Sequence, residues 1–234
     1  MIIYSFMNKL FLIPAKKNST GIKNKNLIKI NGKSLIERTL KESFSSKITN
    51  LIYVSSDSED ILNIAKKYNA IPIKRPKKFC YASTSANSVI LHFISVLPDK
   101  LIKTNPWIFY LQPTSPLRKK KHLIESCKLL KKNKPIISVY ETEFNLFKGL
   151  YQSGKYLIPL VKEIFLTENR QKLKKTFYPN GAIYIFKIND FLKKKKIPMS
   201  TLTPYIMSRT DSLDIDSVSD LKILKELEKK YERI

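Results

Sequence analysis

Two aspartates near the end of the chain have a spacing that suits a hard metal ion. Asp214 and Asp216 stand two residues apart in the segment 213–216. In an extended segment, side chains at i and i+2 project to the same side, so both carboxylates would face one space. Oxygen ligands of this kind suit Mg²⁺, which usually keeps several of its waters. The spacing leaves two alternatives open: one aspartate caps the final helix, or both are solvated.

The polar loop 16–26 is the second segment that could do chemistry, because it carries four lysines and one glycine. It follows the short apolar run 10–15, which predicts a buried strand. In open α/β sheets, ligands bind at the carboxyl ends of the strands. Ammonium groups and backbone N–H groups suit phosphate. The start of the chain is therefore predicted to hold a nucleotide.

Strands and helices must alternate to position these loops. A capping box at Ser34 and Glu37 opens the first helix, with Phe44 on its apolar face. Asp57 or Ser58 caps the second helix. The pattern predicts strands at 10–15, 51–54, 71–73, 107–111, 136–140 and 181–186, and later helices at 57–68, 84–97, 116–132 and 218–231.

This order of elements implies a parallel sheet with helices on both faces. The region 141–179 is less regular. Ser217, with Asp220 three residues on, caps the final helix. No linker rich in Gly, Ser or Pro divides the chain, which favours a single domain over residues 7–234. Met7 is an alternative start to Met1, because the first strand begins just after it.

The net charge of +25 has two interpretations. One is a nucleic-acid binder. The other is a compositional bias, since the chain has 38 lysines and only six arginines, spread along its whole length. The second interpretation is favoured, because no basic patch with interleaved aromatic residues is present. No nucleic-acid partner is expected, and an anionic substrate would benefit in either case.

Cysteine usage and hydropathy indicate a cytoplasmic protein. Cys80 and Cys127 are isolated and lack metal-ligand spacing, which suggests a reduced compartment. No apolar run approaches the ~20 residues that a membrane helix needs. The segment 1–13 lacks the basic start and the cleavage site of a signal peptide, and Pro14 follows it. We expect neither secretion nor a membrane partner.

Short motifs at the predicted strand ends resemble one enzyme family. They include Q-P-T-S-P-L-R at 112–118, N-G-A-I-Y-I at 180–185 and D-I-D at 214–216. Together and in this order, they are similar to the acylneuraminate cytidylyltransferases, which are the CMP-sialic acid synthetases and their relatives for legionaminic, pseudaminic and Kdo sugars. The resemblance covers nearly the whole chain.

The resemblance implies an α/β fold: a three-layer, Rossmann-like nucleotidyltransferase fold with a mainly parallel central sheet. It also implies a projecting segment at about 144–175 that caps the sugar site and forms a homodimer. The implied activity is Mg²⁺-dependent transfer of CMP from CTP to an acidic nine-carbon sugar. The products are a CMP-sugar for surface glycans and pyrophosphate.

The resemblance also assigns residues to roles, position by position. The implied nucleotide-binding residues are Lys16, Ser19, Gly21, Lys25, Asn26, Arg75, Ser83, Thr84 and Ser85. The implied sugar-binding residues are Gln112, Arg170, Asn180 and Gly181. The catalytic residues would be Lys25, Arg170 and Asp216, and the metal ligands would be Asp214 and Asp216.

Several of these positions have plainer alternatives. Lys16 could be an ordinary exposed lysine, Thr84 could cap the next helix, and Arg118 could lie on a helix surface. His92 and His122 fall on helical patterns and are expected to be structural. The loop 15–22 reads A-K-K-N-S-T-G-I where the family has A-R-G-G-S-K-G-I. This change motivates a second hypothesis, a catalytically impaired relative that only binds nucleotide or sugar.

Overall fold

The apolar runs of the sequence form the strands of one central sheet. The structure, a computed structural model, describes residues 9–17, 21–81 and 83–231. In chain order the strands are β1 (Lys9–Pro14), β2 (Lys29–Ile30), β3 (Lys33–Ser34), β4 (Ile52–Ser56), β5 (Ile71–Lys74), β6 (Trp107–Tyr110), β7 (Ile136–Glu141), β8 (Leu150–Ser153), β9 (Tyr156–Pro159), β10 (Phe177–Lys187) and β11 (Thr203–Ile206).

The helices largely follow the predicted pattern. They are α1 (Leu35–Ser45), α2 (Glu59–Lys67), α3 (Ala86–Ser95), α4 (Asp99–Lys103), α5 (Lys120–Lys128), α6 (Ile164–Thr167), α7 (Ile188–Lys194) and α8 (Val218–Tyr231). The capping box of α1 is present, because Ser34 N donates to Glu37 Oε2 at 2.8 Å. The cap of α8 is also present, because Ser217 N donates to Asp220 Oδ2 at 2.7 Å.

Seven strands pair in the order β11-β7-β10-β6-β1-β4-β5. All pairs are parallel except those of β10, which runs antiparallel to β6 and β7. The mainly parallel sheet is therefore confirmed. The exception arises because the chain leaves β7 at Glu141 and returns beside it at Phe177. Such a return needs no crossover helix and yields an antiparallel pair.

Alternate residues of β1 pack into two different clusters. Phe11 and Ile13 contact a cluster that includes Ile36 of α1, while Leu10 and Leu12 contact a cluster that includes Phe93 of α3 and Phe191 of α7. Both faces of the sheet are thus covered, as a nearly all-apolar parallel strand requires. This arrangement confirms the predicted three-layer α/β architecture.

A third cluster fixes the segment that carries the two aspartates. Ile215 is fully buried against Leu35, Leu117 and Leu224. Because side chains alternate along an extended segment, burying the middle residue turns its two neighbours toward the opposite side. The packing of one isoleucine therefore decides where the carboxylates on either side of it point.

Three predicted helix starts are wrong by two to four residues. The helix predicted from 116 begins at Lys120, and its last turn, Leu129–Lys132, is a 3₁₀ helix. Its first turn is stabilised by His122, whose Nδ1 accepts from Lys119 N at 3.0 Å. The second helix begins after Ser58, so Asp57 does not cap it.

The sequence pattern did not predict β2, β3, β11, α4, α7 or the structure within 142–176. The last region holds the β8–β9 hairpin, α6 and two 3₁₀ turns. Both cysteines are free thiols, as their spacing predicted; the cytoplasmic location stays a prediction. Within the described ranges, every helix is too short or too polar to cross a bilayer.

Candidate active site

A cavity of about 380 Å³ opens at the carboxyl ends of β1 and β6. Parallel strands deliver their following loops to the same edge, which is where open α/β sheets bind ligands. The wall combines three basic side chains, two carboxylates, two amides and several aromatic rings. Its lining residues are Pro14, Lys16, Gly21, Lys25, Asn26, Arg75, Phe79, Tyr81, Thr84, Ala86, Val89, Tyr110, Gln112, Pro113, Thr114, Asp214 and Asp216.

Two hydrogen bonds hold the loop after β1 in place. Asn26 Nδ2 donates to the carbonyl of Lys16 at 2.9 Å, which closes the loop on itself. Lys17 N donates to Asp57 Oδ1 at 2.7 Å, so Asp57 anchors the loop. The predicted contact Ser19 lies outside the described residues.

The buried side chain of Lys25 joins this loop to the aspartate segment. Its Nζ donates to the carbonyl of Ile215 and to Asp216 Oδ1, the latter at 2.8 Å. Gly21 lies equally close, because a Cβ at this position would stand 2.3 Å from the carbonyl oxygen of Asp216. Only glycine permits this approach. The contact of Lys25 with phosphate stays a prediction.

Asp214 and Asp216 both face the cavity, as their spacing predicted, but in different environments. The side chain of Asp216 is 76% exposed. Burial raises the pKa of Asp214, an effect that a hydrogen bond with Thr114 opposes. Asp214 Oδ1 is buried without a hydrogen-bond partner in the part of the chain that the structure describes. A buried carboxylate oxygen of this kind calls for a donor or a cation.

This pair fits a Mg²⁺ ion that takes few ligands from the protein. The described residues contain no group of three or more His, Cys, Asp or Glu side chains placed to hold a metal. Mg²⁺ is commonly bound through one or two carboxylates plus phosphate and water. Asp214, with its unsatisfied oxygen, and the exposed carboxylate of Asp216 match that requirement.

Arg75 places a buried positive charge in the cavity wall. Its Nε donates to Ser55 Oγ at 3.1 Å and its Nη2 to the carbonyl of Ser55 at 2.6 Å. Among the described residues, no carboxylate lies within 4 Å of it. Burial lowers the pKa of Arg75. The carboxylate of Asp57 acts on Arg75 only from a greater distance. A buried cation without a directly paired carboxylate is costly, so this wall suits an anionic ligand.

Aromatic rings of the cavity wall were missed by sequence reasoning. Phe79, Tyr81 and Tyr110 line the same cavity as Arg75. Burial raises the pKa of Tyr110 to about 12, which keeps the phenol neutral. The available signal was the aromatic spacing in the segment 77–81, which follows the predicted contact Arg75.

The hydroxyl-bearing residues 83–85, which follow this segment, differ in whether they line the cavity. Thr84 lines the cavity, whereas Ser83 and Ser85 are exposed and are not part of its wall. Ser85 is the N-cap of α3, and its Oγ accepts from Ser88 N at 3.2 Å. The expectation that Ser83 or Thr84 would be this cap is wrong. Their contacts with nucleotide stay predictions.

Gln112 follows β6 and lies against Gly181. A Cβ at Gly181 would stand 2.6 Å from Gln112 Oε1 and 3.5 Å from Asp214 Oδ2, and its φ of +73° favours glycine. Glycine therefore leaves room for the amide of Gln112 beside the carboxylate. Gln112 and Gly181 lie next to each other, which is consistent with their assignment to one sugar-binding site. Their sugar-binding role itself stays a prediction.

Arg118 stabilises the backbone at Gln112 and Ala182 by hydrogen bonds. Its Nη1 donates to the carbonyls of Gln112 at 2.8 Å and Ala182 at 2.9 Å, and its Nη2 donates to Thr39 Oγ1 at 3.0 Å. Burial lowers its pKa to about 10. The surface-helix interpretation of Arg118 is wrong, because these carbonyls draw the side chain into the interior.

Three predicted sugar-binding residues, Asn180, Gly181 and Arg170, are absent from the cavity wall. Asn180 is buried in a polar network, where its Nδ2 donates to Ser212 Oγ at 2.8 Å and its Oδ1 accepts from Ser138 Oγ at 2.5 Å. Arg170 lies in a separate depression of about 280 Å³, where it donates to the carbonyl of Glu143. Their sugar-binding and catalytic roles stay predictions.

Curated relatives include enzymes for three nonulosonic acids. The chain is 29% identical over 233 residues to the N-acylneuraminate cytidylyltransferase of Escherichia coli O18:K1:H7, covering 95% of this chain and 52% of that protein. It is 27% identical to the pseudaminic acid cytidylyltransferase of Campylobacter jejuni, covering 95% and 97%. It is 26% identical to the CMP-N,N'-diacetyllegionaminic acid synthase of Legionella pneumophila, covering 94% and 96%. The chain thus spans about half the length of its N-acylneuraminate relatives.

Solved structures show the same fold. A CMP:2-keto-3-deoxy-manno-octonic acid synthetase in complex with CTP aligns with a TM-score of 0.69 at 10% identity, over 95% of this chain and 99% of that one. A cytidylyltransferase from Leptospira borgpetersenii aligns with a TM-score of 0.57 at 21% identity, over 94% and 85%. The sequence profile described as "Cytidylyltransferase" matches residues 10–230. The chain therefore belongs to the cytidylyltransferase family.

Proposed function

We propose that this chain transfers CMP from CTP to an acidic nine-carbon sugar of the sialic, pseudaminic or legionaminic type. The observation that carries the proposal is that one cavity brings together Arg75, which has no carboxylate within 4 Å among the described residues, a lysine-bearing loop and two aspartates. Two anionic reactants repel each other, so their reaction requires such a concentration of cationic groups. The relatives that act on these sugars support the choice of acceptor.

The nucleotide occupies the end of the cavity near β1 and α3. Lys16 and the backbone N–H groups of its loop contact the phosphates, and Arg75 offers a planar donor pair. The rings of Phe79 and Tyr81 supply apolar surface for the flat pyrimidine. Thr84 is close enough to this surface to bond the ribose or the base.

The acceptor sugar lies at the other end, against Gln112 and Gly181. An amide both donates and accepts hydrogen bonds, which suits hydroxyl and acyl groups. Gly181 leaves the space that a side chain would fill. Asn180 acts on this end of the site from beneath, because its Oδ1 accepts from Ala182 N at 3.1 Å.

The reaction is an in-line displacement at the α-phosphorus. The anomeric hydroxyl oxygen forms the new P–O bond and loses its proton, while the bond to the β-phosphate oxygen breaks and pyrophosphate leaves. Asp214 and Asp216 would hold Mg²⁺, which when bound neutralises phosphate charge. Lys25 keeps the aspartate segment against the nucleotide loop through its contacts with Ile215 and Asp216.

We further propose that the chain is a homodimer in which Arg170 serves the cavity of the partner. Large apolar side chains of the segment 144–175 are exposed, with Tyr156 at 77%, Leu157 at 66% and Ile164 at 65%. Exposed apolar patches of this kind mark interaction surfaces. If this segment docks on a second subunit, Arg170 would approach the active-site cavity of that subunit, although it does not reach the cavity of its own chain.

The direct test is to incubate the protein with CTP, Mg²⁺ and each of the three sugar acids in turn. We expect pyrophosphate release with at least one acid and a product with the mass of the CMP-sugar. Reactions without sugar, or with ATP in place of CTP, are the controls. Calorimetric binding of CTP with no pyrophosphate from any acid would instead support the impaired nucleotide-binding relative.

A further inference from the structure

A second cavity, of about 470 Å³, lies behind the active site and shares no lining residue with it. It is enclosed by the β2–β3 turn, α1, the segment 116–119 and α8. Five cationic side chains and three carboxylates line it, so two positive charges are in excess. A concave surface with a net positive charge attracts small anions.

The three carboxylates already have partners. Glu228 pairs with Arg38, and its Oε2 lies 3.1 Å from Arg38 Nη2. Asp211 lies 3.4 Å from His122 Nε2 and 3.7 Å from Lys119 Nζ. Glu42 accepts from the backbone N–H of Lys120 at 2.6 Å. Two of the three carboxylates thus belong to ion pairs, and the third caps the start of α5.

The excess charge is shared by Lys33, Lys41 and Arg118, which outnumber Glu42, the one lining carboxylate outside an ion pair, by two. Within the described ranges, neither lysine ammonium has a carboxylate within 4 Å, although Glu42 acts on Lys33 from a greater distance. The side chain of Lys41, in hydrogen-bonding range, lowers the pKa of Lys33. Two ammonium groups this close repel each other, and an anion placed between them would turn the repulsion into two attractions.

The inner wall of this cavity is also cationic. Arg118 is 2% exposed, and its Nε has no hydrogen-bond partner among the described residues, although both Nη atoms are bonded. The buried guanidinium lines the same cavity as the two lysines and adds to its positive potential. The cavity thus combines one buried cation with two more accessible ones.

We propose that this cavity binds a phosphate-type dianion between Lys33 and Lys41. A dianion matches the excess of two charges, and lysine ammonium groups bind phosphate as compact point charges. The site is separate from the phosphate contacts of the reaction. It would therefore remain available when CTP fills the active-site cavity.

The test is a calorimetric titration of inorganic phosphate into the protein already saturated with CTP. We expect one phosphate per chain in the wild type and an affinity about tenfold weaker in Lys33→Gln/Lys41→Gln. The matched control is Lys100→Gln/Lys103→Gln, which removes two exposed lysines of α4 and should bind phosphate like the wild type. Equal affinities in all three proteins, or no uptake by the wild type, would refute the proposal.

Crystals soaked in tungstate, a heavier tetrahedral dianion, locate the site independently. We expect an anomalous peak between Lys33 and Lys41 that is lost in the double variant. Peaks confined to the active-site cavity or to crystal contacts would overturn the assignment. This readout does not depend on turnover, so it separates the anion site from the proposed activity.

Discussion

The active-site cavity and the segment 142–176 are built in opposite ways. Cavity residues follow buried strands and interlock through internal contacts, such as the pair Lys25–Asp216 and the bonds of Arg118 to two carbonyls. The outlying segment consists of a short hairpin and single helical turns whose large apolar side chains are exposed. The first region is positioned by its own core, whereas the second leaves large apolar side chains exposed.

The largest expected effect tests whether these regions meet in a dimer. Asp216→Ala and Arg170→Ala should each lower turnover by ~100-fold or more, because the first removes a proposed Mg²⁺ ligand and the second removes a cation complementary to the phosphates or the sugar acid. Both variants should keep the circular dichroism spectrum and the melting temperature of the wild type. Pyrophosphate release measures the loss, and wild-type rates in either folded variant would remove that residue from the mechanism.

Mixed dimers of these two variants decide which cavity Arg170 serves. Co-expressed chains with different tags can be purified as dimers that hold one copy of each. If Arg170 acts on the partner, one of the two sites is intact, and about half of the wild-type turnover per dimer returns. If it acts within its own chain, both sites are defective and no activity returns. Failure to isolate any dimer would contradict the proposed assembly.

The next effect concerns the internal contacts of the cavity. Arg118→Met leaves the carbonyls of Gln112 and Ala182 without their donor, which should lower the free energy of unfolding by ~2 kcal/mol. The control is Arg209→Met, which breaks an exposed ion pair with Glu143 in the other region. That change should cost clearly less, because an exposed ion pair is screened by water and salt. Urea unfolding measures both, and equal losses would mean that the cavity is not the more tightly built region.

A smaller change, in the KM for CTP, is expected from replacing Arg75, the buried cation of the cavity wall. Arg75→Met should raise the KM for CTP by ~10- to 100-fold, because the phosphates or the base lose a charged donor. The KM for the sugar acid should change little. Arg209→Met again serves as the control, since it removes an arginine far from the cavity lining. A rise confined to the KM of the sugar would place Arg75 at the wrong end of the cavity.

The smallest expected effect comes from replacing Gly181. It distinguishes backbone strain from steric crowding at the proposed sugar-binding end of the cavity. Gly181→Ala brings a methyl group against Gln112 and should raise the KM for the sugar acid by about tenfold. Gly32→Ala is a matched control, because both glycines have φ +73° but a Cβ at Gly32 meets nothing within 4 Å. Both variants should lose similar stability. An equal rise in KM for both would show that strain alone is responsible.

Sequence reasoning was most accurate where local patterns coincide with burial. The strands at 10–15 and 107–111 were found because a parallel strand covered on both faces is apolar throughout. The caps at Ser34 and Ser217 were found because they need only residues three positions apart. The loops after these strands then had to meet at one edge, which explains why Lys16, Gln112 and Asp214 line one cavity.

Other features depended on contacts between distant parts of the chain. No local pattern showed that Arg118 would turn inward to two carbonyls, or that Asp57 would bind the backbone of Lys17. The start of α5 was misplaced for the same reason. The aromatic residues of the cavity wall were missed because a ring at the end of a strand, such as that of Tyr110, can be identified as a lining residue only once the position of the cavity is known.

By itself, the sequence determined the alternation of strands and helices, the sheet edge that carries the loops and the pairing of the two aspartates. These depend on periodicity and on neighbours close along the chain. Only the tertiary structure decided which way the aspartates face, because that direction follows from burying Ile215 against Leu35, Leu117 and Leu224. It also decided that Arg170 stands apart from the cavity, since the exposed 3₁₀ turn that carries it, Arg170–Lys172, is placed by packing that no local pattern encodes.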